Sequence, residues 1–227
     1  ACPRLRVIGA ALKGYDNIDV DACTRAGVRV TIVPDLLTVP TAELAIGLML
    51  ALGRNILTGD RMIREHGFSG WRPTLYGSGI ANATVGIWGF GLVGQAIAAR
   101  LAAFNCSILA ADDQQVAVPH HLEGKVLMVD IDRVVGESDY LVLALPLTLT
   151  TQHLVNSAII ARMKPGSRII NPARGSLVDE SAIADALEAG HLAGYAADVF
   201  ECEDWARLSR PSVVEPRLRH VEARTVL

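Results

Sequence analysis

The chain has 227 residues, of which 51% are hydrophobic and 20% charged, with a net charge of −3. That much apolar material in a chain of this length supports a sizeable buried core and excludes a disordered polymer. The slightly acidic balance, without runs of like charge, excludes a nucleic-acid face and a polybasic membrane patch, so the expected partner is a small molecule.

The four cysteines, Cys2, Cys23, Cys106 and Cys202, are widely separated with no C-x-x-C pair. Neither a zinc site nor a disulfide framework is expected, and a reducing cytoplasm fits. The longest apolar run, Leu44 to Gly53, lies between Glu43 and Arg54. It is roughly half of the ~20 residues that cross a bilayer, so it reads as a buried helix segment.

In chain order, "RVIGA" and "VRVTIV" read as short strands separated by a helix from about Asp19 to Ala26, one β-α-β step. Apolar residues at helical spacing then run to about Ile63, with Thr41 expected to cap a single long, mostly buried helix. The Gly/Pro/Ser-rich "GFSGWRPTLYGSGI" breaks the pattern. A strand at Thr84 to Trp88, a glycine turn, a helix to about Phe104 and a second strand ending in acid follow. "DYLVLALP", "SRIINPA" and "LAGYAADVF" continue as strands, with helices near Ser157 to Met163 and Glu180 to Ala189. This alternation predicts an α/β fold with a doubly wound parallel sheet.

Gly89, Gly91 and Gly94 have G-x-G-x-x-G spacing. They follow a predicted strand, open a predicted helix, and are answered about twenty residues on by Asp112, which completes the dinucleotide fingerprint. The glycines allow a tight turn against a pyrophosphate, and the helix start at Leu92 and Val93 offers N–H groups and positive dipole. Asp112 is placed to accept from ribose hydroxyls. With Asp113 beside it and no adjacent Arg or Lys, NAD is favoured over NADP. Further along, "INPARGSLVDE" sets Arg174, and "AADVFECED" sets Asp198, Glu201 and Glu203, at the ends of successive strands, where open α/β sheets bind ligands. Singly, each is as well read as a solvated loop charge.

Taken together, the glycine fingerprint, "LALPLT", "INPARGSLVDE" and "AADVFE" resemble the D-2-hydroxyacid dehydrogenase family over essentially the whole chain. Within it, "AALKGYDNIDVDACTRAGV", "VPDLLTVPTAELAIGL", "GWRPTLYGSG" and "GYAADVFECEDWAR" resemble the phosphite-oxidising members. The resemblance implies that Arg174 binds and orients substrate, that Glu203 partners a catalytic histidine, and that Lys13 anchors substrate. It places Trp71 and Tyr76 near the substrate pocket, although loop aromatics equally serve packing. It makes Leu92, Val93, Asp112, Ala144, Leu145, Pro146, Pro172, Ala173, Arg174 and Asp198 cofactor contacts, with Thr41 near the nicotinamide.

If Lys13 and Arg174 converge, their repulsion suits a dianion such as phosphite better than a monoanionic hydroxy acid. Lys13 could instead snorkel to solvent. The expected reaction is NAD-dependent oxidation of phosphite. A dehydrogenase acting on glyoxylate, hydroxypyruvate or D-lactate and a non-catalytic NAD-sensing module of the corepressor type stand as alternatives.

None of the six histidines has the sequence context of the family's catalytic one. The sequence starts without Met and stops in the strand-like "RTVL". The expectation is therefore a fragment that does not turn over, with that histidine beyond Leu227. Residues 1–36 would be a remnant of a substrate domain and 37–227 the NAD-binding domain. The helix from Thr41 is expected to contribute to a homodimer, though a helix so apolar could equally be intrachain core.

Overall fold

The structure is a computed structural model, and it describes residues 2–11, 14–68, 70–71, 73, 75–204, 206–207, 209–221 and 224–227. Near the N-terminus, β1 (Val7–Gly9) and β2 (Arg29–Thr31) pair in parallel, with Ile8 opposite Val30. Between them runs α1 (Val20–Arg25), which starts where the Asp19 carboxylate accepts the Ala22 N–H at 2.7 Å.

The main sheet has seven parallel strands: β3 (Thr84–Trp88), β4 (Ser107–Ala111), β5 (Val126–Met128), β6 (Tyr140–Leu143), β7 (Ser167–Asn171), β8 (Leu192–Ala197) and β9 (Thr225–Val226). Their order is β5-β4-β3-β6-β7-β8-β9. The direction of winding reverses between β3 and β6, which opens a crevice at their carboxyl ends.

Both faces of this sheet are covered. One core holds Ala42 and Met49 of α2 (Thr38–Gly53) and Ile97 and Ala98 of α4 (Leu92–Leu101), packed on Val85, Ile87, Val142, Ile170 and Ala196. The other holds Val134 and Val135 of α5 (Ile131–Glu137), Ile160 of α6 (Ser157–Ile160) and Ile183 and Leu187 of α7 (Glu180–Glu188), packed on Leu141, Leu143, Ile169 and Tyr195. Successive strand residues therefore alternate between two cores. This is why "YLVL" is continuously apolar and wholly buried. A short α8 (Pro216–His220) leads into β9.

The single long helix expected from Thr41 is two helices. α2 begins at Thr38, with Leu37 at its cap position and no side-chain cap, and Thr41 lies inside the first turn, its N–H donating to the Leu37 carbonyl. A bend of 57° separates α2 from α3 (Ile56–His66). Asn55 forms the corner at φ 54°, a left-handed conformation that asparagine tolerates and most residues do not. Burial also divides there: α3 has no buried residue. Among the described residues no single helix is long and apolar enough to cross a membrane.

Candidate active site

The turn after β3 gives each glycine a separate task. Gly89 sits at φ 99°, and a Cβ there would lie 2.5 Å from the Ala144 carbonyl oxygen, so the turn packs directly on the end of β6. At Gly94 a Cβ would lie 2.1 Å from the Gly89 carbonyl oxygen, whereas at Gly91 it would meet nothing within 4 Å among the described residues. Gly91 is also the cap residue of α4, which has no side-chain cap. The first-turn N–H groups at Leu92 and Val93 thus adjoin an open approach.

Asp112, just past β4, accepts the Phe90 N–H on Oδ2 at 2.6 Å and the Gln114 N–H on Oδ1 at 3.0 Å. The carboxylate therefore ties the glycine turn to the next strand, and each oxygen keeps further accepting capacity. On the first turn of α2, the Thr38 hydroxyl is buried with no partner among the described residues, while Thr41 is half-buried. An uncapped helix start, a glycine without a neighbour and an anchored acid with spare lone pairs fit a dinucleotide.

The second cluster starts from Asn171, fully buried at the end of β7. Its Nδ2 donates to the Arg174 carbonyl at 2.9 Å and its Oδ1 accepts the Ala173 N–H at 3.2 Å, closing the turn through Pro172 and Ala173 that presents Arg174. Arg174 Nε donates to Asp16 Oδ1 and Oδ2 at 3.0 and 3.1 Å, and Nη1 donates to the Ala173 carbonyl at 2.7 Å. Gly14 faces Nη2 so closely that a Cβ there would fall 1.4 Å from it. Nη2 makes no hydrogen bond among the described residues.

At the end of β8, Asp198 is exposed and donates its N–H to the Asn171 carbonyl at 3.2 Å. Glu203 follows in the short 3-10 turn 201–203. Its carboxyl is pushed above the ordinary value of 4.5 mainly by partial burial, with the charges of Asp198 and Asp204 adding; a backbone hydrogen bond at Phe200 and the Arg174 charge oppose the rise. Arg174, Asp198 and Glu203 thus act on one electrostatic neighbourhood.

Lys13 lies outside the described residues. Trp71 and Tyr76 are 75% and 77% exposed, and Asn55 Nδ2 donates to the Tyr76 carbonyl at 3.5 Å, which joins Tyr76 to the α2–α3 bend. His66 and His120 contact Glu65 and Glu123, His153 contacts Glu201, and His191 contacts the Ile160 carbonyl. None of these contacts involves Glu203. Sequence reasoning did not single out Gly14, Asp16 or Asn171. Asn171 was detectable as a polar residue closing an apolar strand, but nothing local marks Asp16 as a partner of Arg174.

A doubly wound parallel sheet, with a glycine turn and answering acid at its switch point and an arginine and carboxylates on the following strand ends, defines a dinucleotide-binding dehydrogenase domain. The chain belongs to the D-isomer specific 2-hydroxyacid dehydrogenase family, whose NAD-binding domain is matched by residues 46–222. It is 39% identical over 209 residues to a glyoxylate reductase of Pyrococcus horikoshii, covering 89% of this chain and 62% of that protein. A crystal structure of a glyoxylate reductase from Paecilomyes thermophila superposes with a TM-score of 0.86 at 34% identity, over 99% of this chain and 65% of that one. A D-lactate dehydrogenase from Aquifex aeolicus, solved with NAD and lactic acid, has the same TM-score at 27% identity, over 99% and 68% of the two chains.

Proposed function

We propose that the protein is an NAD-dependent oxidoreductase that interconverts a small 2-oxoacid with its D-2-hydroxyacid, in the manner named for its glyoxylate- and lactate-handling relatives. One observation carries this choice: the Arg174 guanidinium is held through Nε by Asp16. Preference for a dianion would require two uncompensated cations. Asp16 already offsets one of them, and a guanidinium held by one edge can offer its remaining donors to a planar carboxylate.

NAD supplies a hydride acceptor and donor at its nicotinamide. The residues of this chain do the rest: the glycine turn and α4 start receive the pyrophosphate, Asp112 the ribose, and the strand ends at Ala144–Pro146, Pro172–Ala173 and Asp198 border the nicotinamide side. Arg174 orients the substrate carboxylate. Glu203, its carboxyl raised by its surroundings, partners the group that carries the substrate proton.

Oxidation of phosphite is a second reading, favoured by the place of Lys13 in the chain. It directly precedes Gly14, which packs on Arg174. A panel of glyoxylate, hydroxypyruvate and pyruvate with NADH, and of phosphite and D-lactate with NAD, separates the two in the full gene product. Oxoacid-dependent NADH consumption is expected. Phosphite-dependent NADH formation without oxoacid turnover would replace the proposal, and NADH binding without any turnover would favour a sensing module.

The same reading assigns residues 1–36 to the substrate domain and 37–227 to the NAD-binding domain. It also makes the protein a homodimer through α2 and α3, where Val39, Ile56, Leu57 and Ile63 are exposed apolar side chains. Light scattering at micromolar protein should then give twice the protomer mass.

A further inference from the structure

Beneath the Arg174 turn lies a cluster of ionisable groups, built around the buried carboxylates of Glu180, Glu201 and Asp204, that neither the cofactor turn nor the Arg174–Asp16 pair uses. Glu201, 7% exposed, is its centre. Its Oε2 lies 3.0 Å from His153 Nε2 and 3.6 Å from Arg207 Nη1. Its Oε1 accepts the Glu180 N–H at 3.1 Å, while its own N–H donates to Glu180 Oε1 at 2.8 Å. Glu180, itself 3% exposed, accepts the Glu215 N–H on its other oxygen at 2.9 Å.

The cluster closes on Ser176, which is fully buried in the 3-10 turn 175–177 directly after Arg174. Ser176 donates its N–H to Asp204 Oδ2 at 2.9 Å, accepts the His153 N–H on its carbonyl at 2.8 Å, and receives Arg207 Nη1 at its hydroxyl. Gly175 lets the two turns touch: a Cβ there would lie 1.9 Å from the Phe200 carbonyl carbon. The loop bearing Arg174 and the loop bearing Glu203 are thus locked together by backbone contact and by charge.

We propose that Glu201 is a positioning residue. Through His153, Arg207 and Glu180 it holds the 201–203 turn on the 175–177 turn, and so sets Glu203 relative to Arg174. Apolar side chains would join two loops at equal or better stability, because buried carboxylates must recover their lost hydration. What a satisfied polar network adds is one discrete geometry, and a catalytic pair needs that. The significance of that geometry rests on the function proposed above, but the existence of the clamp does not.

The test uses Glu201→Gln in the full gene product. This variant keeps the shape and an acceptor for the Glu180 N–H but presents no charge to His153 and Arg207. Amide exchange should accelerate only in segments 174–177 and 200–204. NADH affinity should stay within about twofold of wild type, and the affinity of the NADH complex for oxamate, a 2-oxoacid analogue, should fall about tenfold. Unchanged exchange in both turns would overturn the proposal. So would parallel loss of NADH and oxamate binding with exchange rising across the whole sheet, since that marks a stability role only.

If wild type binds NADH but not oxamate, the oxoacid reading fails, and exchange alone decides: localised acceleration upholds the clamp and unchanged exchange rejects it. Should Glu201→Gln not fold, His153→Asn applies the same tests. Residue 153 sits at φ 48°, which asparagine tolerates, and the shorter side chain withdraws from Glu201 without backbone strain.

Discussion

The Arg174 guanidinium and the Asp16 carboxylate, 158 positions apart in the chain, meet with Nε 3.0 Å from Oδ1 and 3.1 Å from Oδ2. The contact joins the turn after β7 to the segment between β1 and α1, so Arg174 is held jointly by the main sheet and the N-terminal unit. Asp16 holds the guanidinium through Nε and partly balances its charge.

Asp16→Ala removes that hold. The affinity of the NADH-loaded protein for oxamate is expected to fall about tenfold, or about 1.4 kcal/mol, by isothermal titration. The pair is partly solvated, with side chains 32% and 17% exposed, so the change in melting temperature should be small. Equal affinity in the variant and wild type would show that Arg174 orients itself without Asp16.

Three glycine-to-alanine substitutions should separate packing from ligand approach. Gly94→Ala drives a Cβ against the Gly89 backbone and is expected to cost about 1–3 kcal/mol of stability together with NADH binding. Gly91→Ala meets nothing within 4 Å among the described residues, so it should leave the denaturation midpoint in place and weaken only NADH. Gly14→Ala meets the movable end of Arg174, so NADH should bind normally while oxamate binding is lost. Urea melts and NADH fluorescence titrations distinguish the three patterns.

Asp112→Ala leaves the Phe90 and Gln114 N–H groups without their acceptor. The loosened turn and the missing ribose partner should together weaken NADH about tenfold or more. Near-equal affinity in a fluorescence titration would remove Asp112 from the cofactor site.

The Glu180 carboxyl is raised above 4.5, chiefly by burial; the backbone N–H groups of Glu215 and Glu201 oppose the rise, and the charges of those two residues add to it. A carboxyl whose folded value exceeds its unfolded value binds its proton more tightly in the folded protein. Its contribution is therefore fully present below the unfolded value and is lost as pH rises through the folded one. Glu180→Gln cannot ionise. Its melting temperature, lower at acid pH because an amide NH2 faces a backbone donor, should approach that of wild type as pH rises above the ordinary carboxylate range. A difference that does not change with pH would contradict the raised value.

Residues that act on near neighbours were readable. β3 spans Thr84–Trp88 as expected, and Gly89, Gly91 and Gly94 are distinguished by contacts within one turn and the next strand end. Where the long helix failed, the cause was equally local: apolar spacing continues through Arg54 and Asn55, but the left-handed backbone at Asn55 turns the chain. Strand β5 was passed over because three residues carry too little alternation to register, and helix α5 because its seven residues make barely two turns of helical spacing. Helix α8 carried a readable start in Glu215 and Pro216, and its five residues hid it.

By itself the sequence determined the doubly wound sheet, the cofactor turn and its answering acid, because period, glycine spacing and strand ends are properties of contiguous residues. Only the tertiary structure decided which polar groups meet. Asp16 reaches Arg174, His153 reaches Glu201, and the Ser176 N–H reaches Asp204. His153 and Ser176 reach their carboxylates because parallel strands bring distant loops to one edge of the main sheet, and Asp16 reaches Arg174 from the N-terminal unit; the cost of burying an unpaired charge or N–H favours each partner.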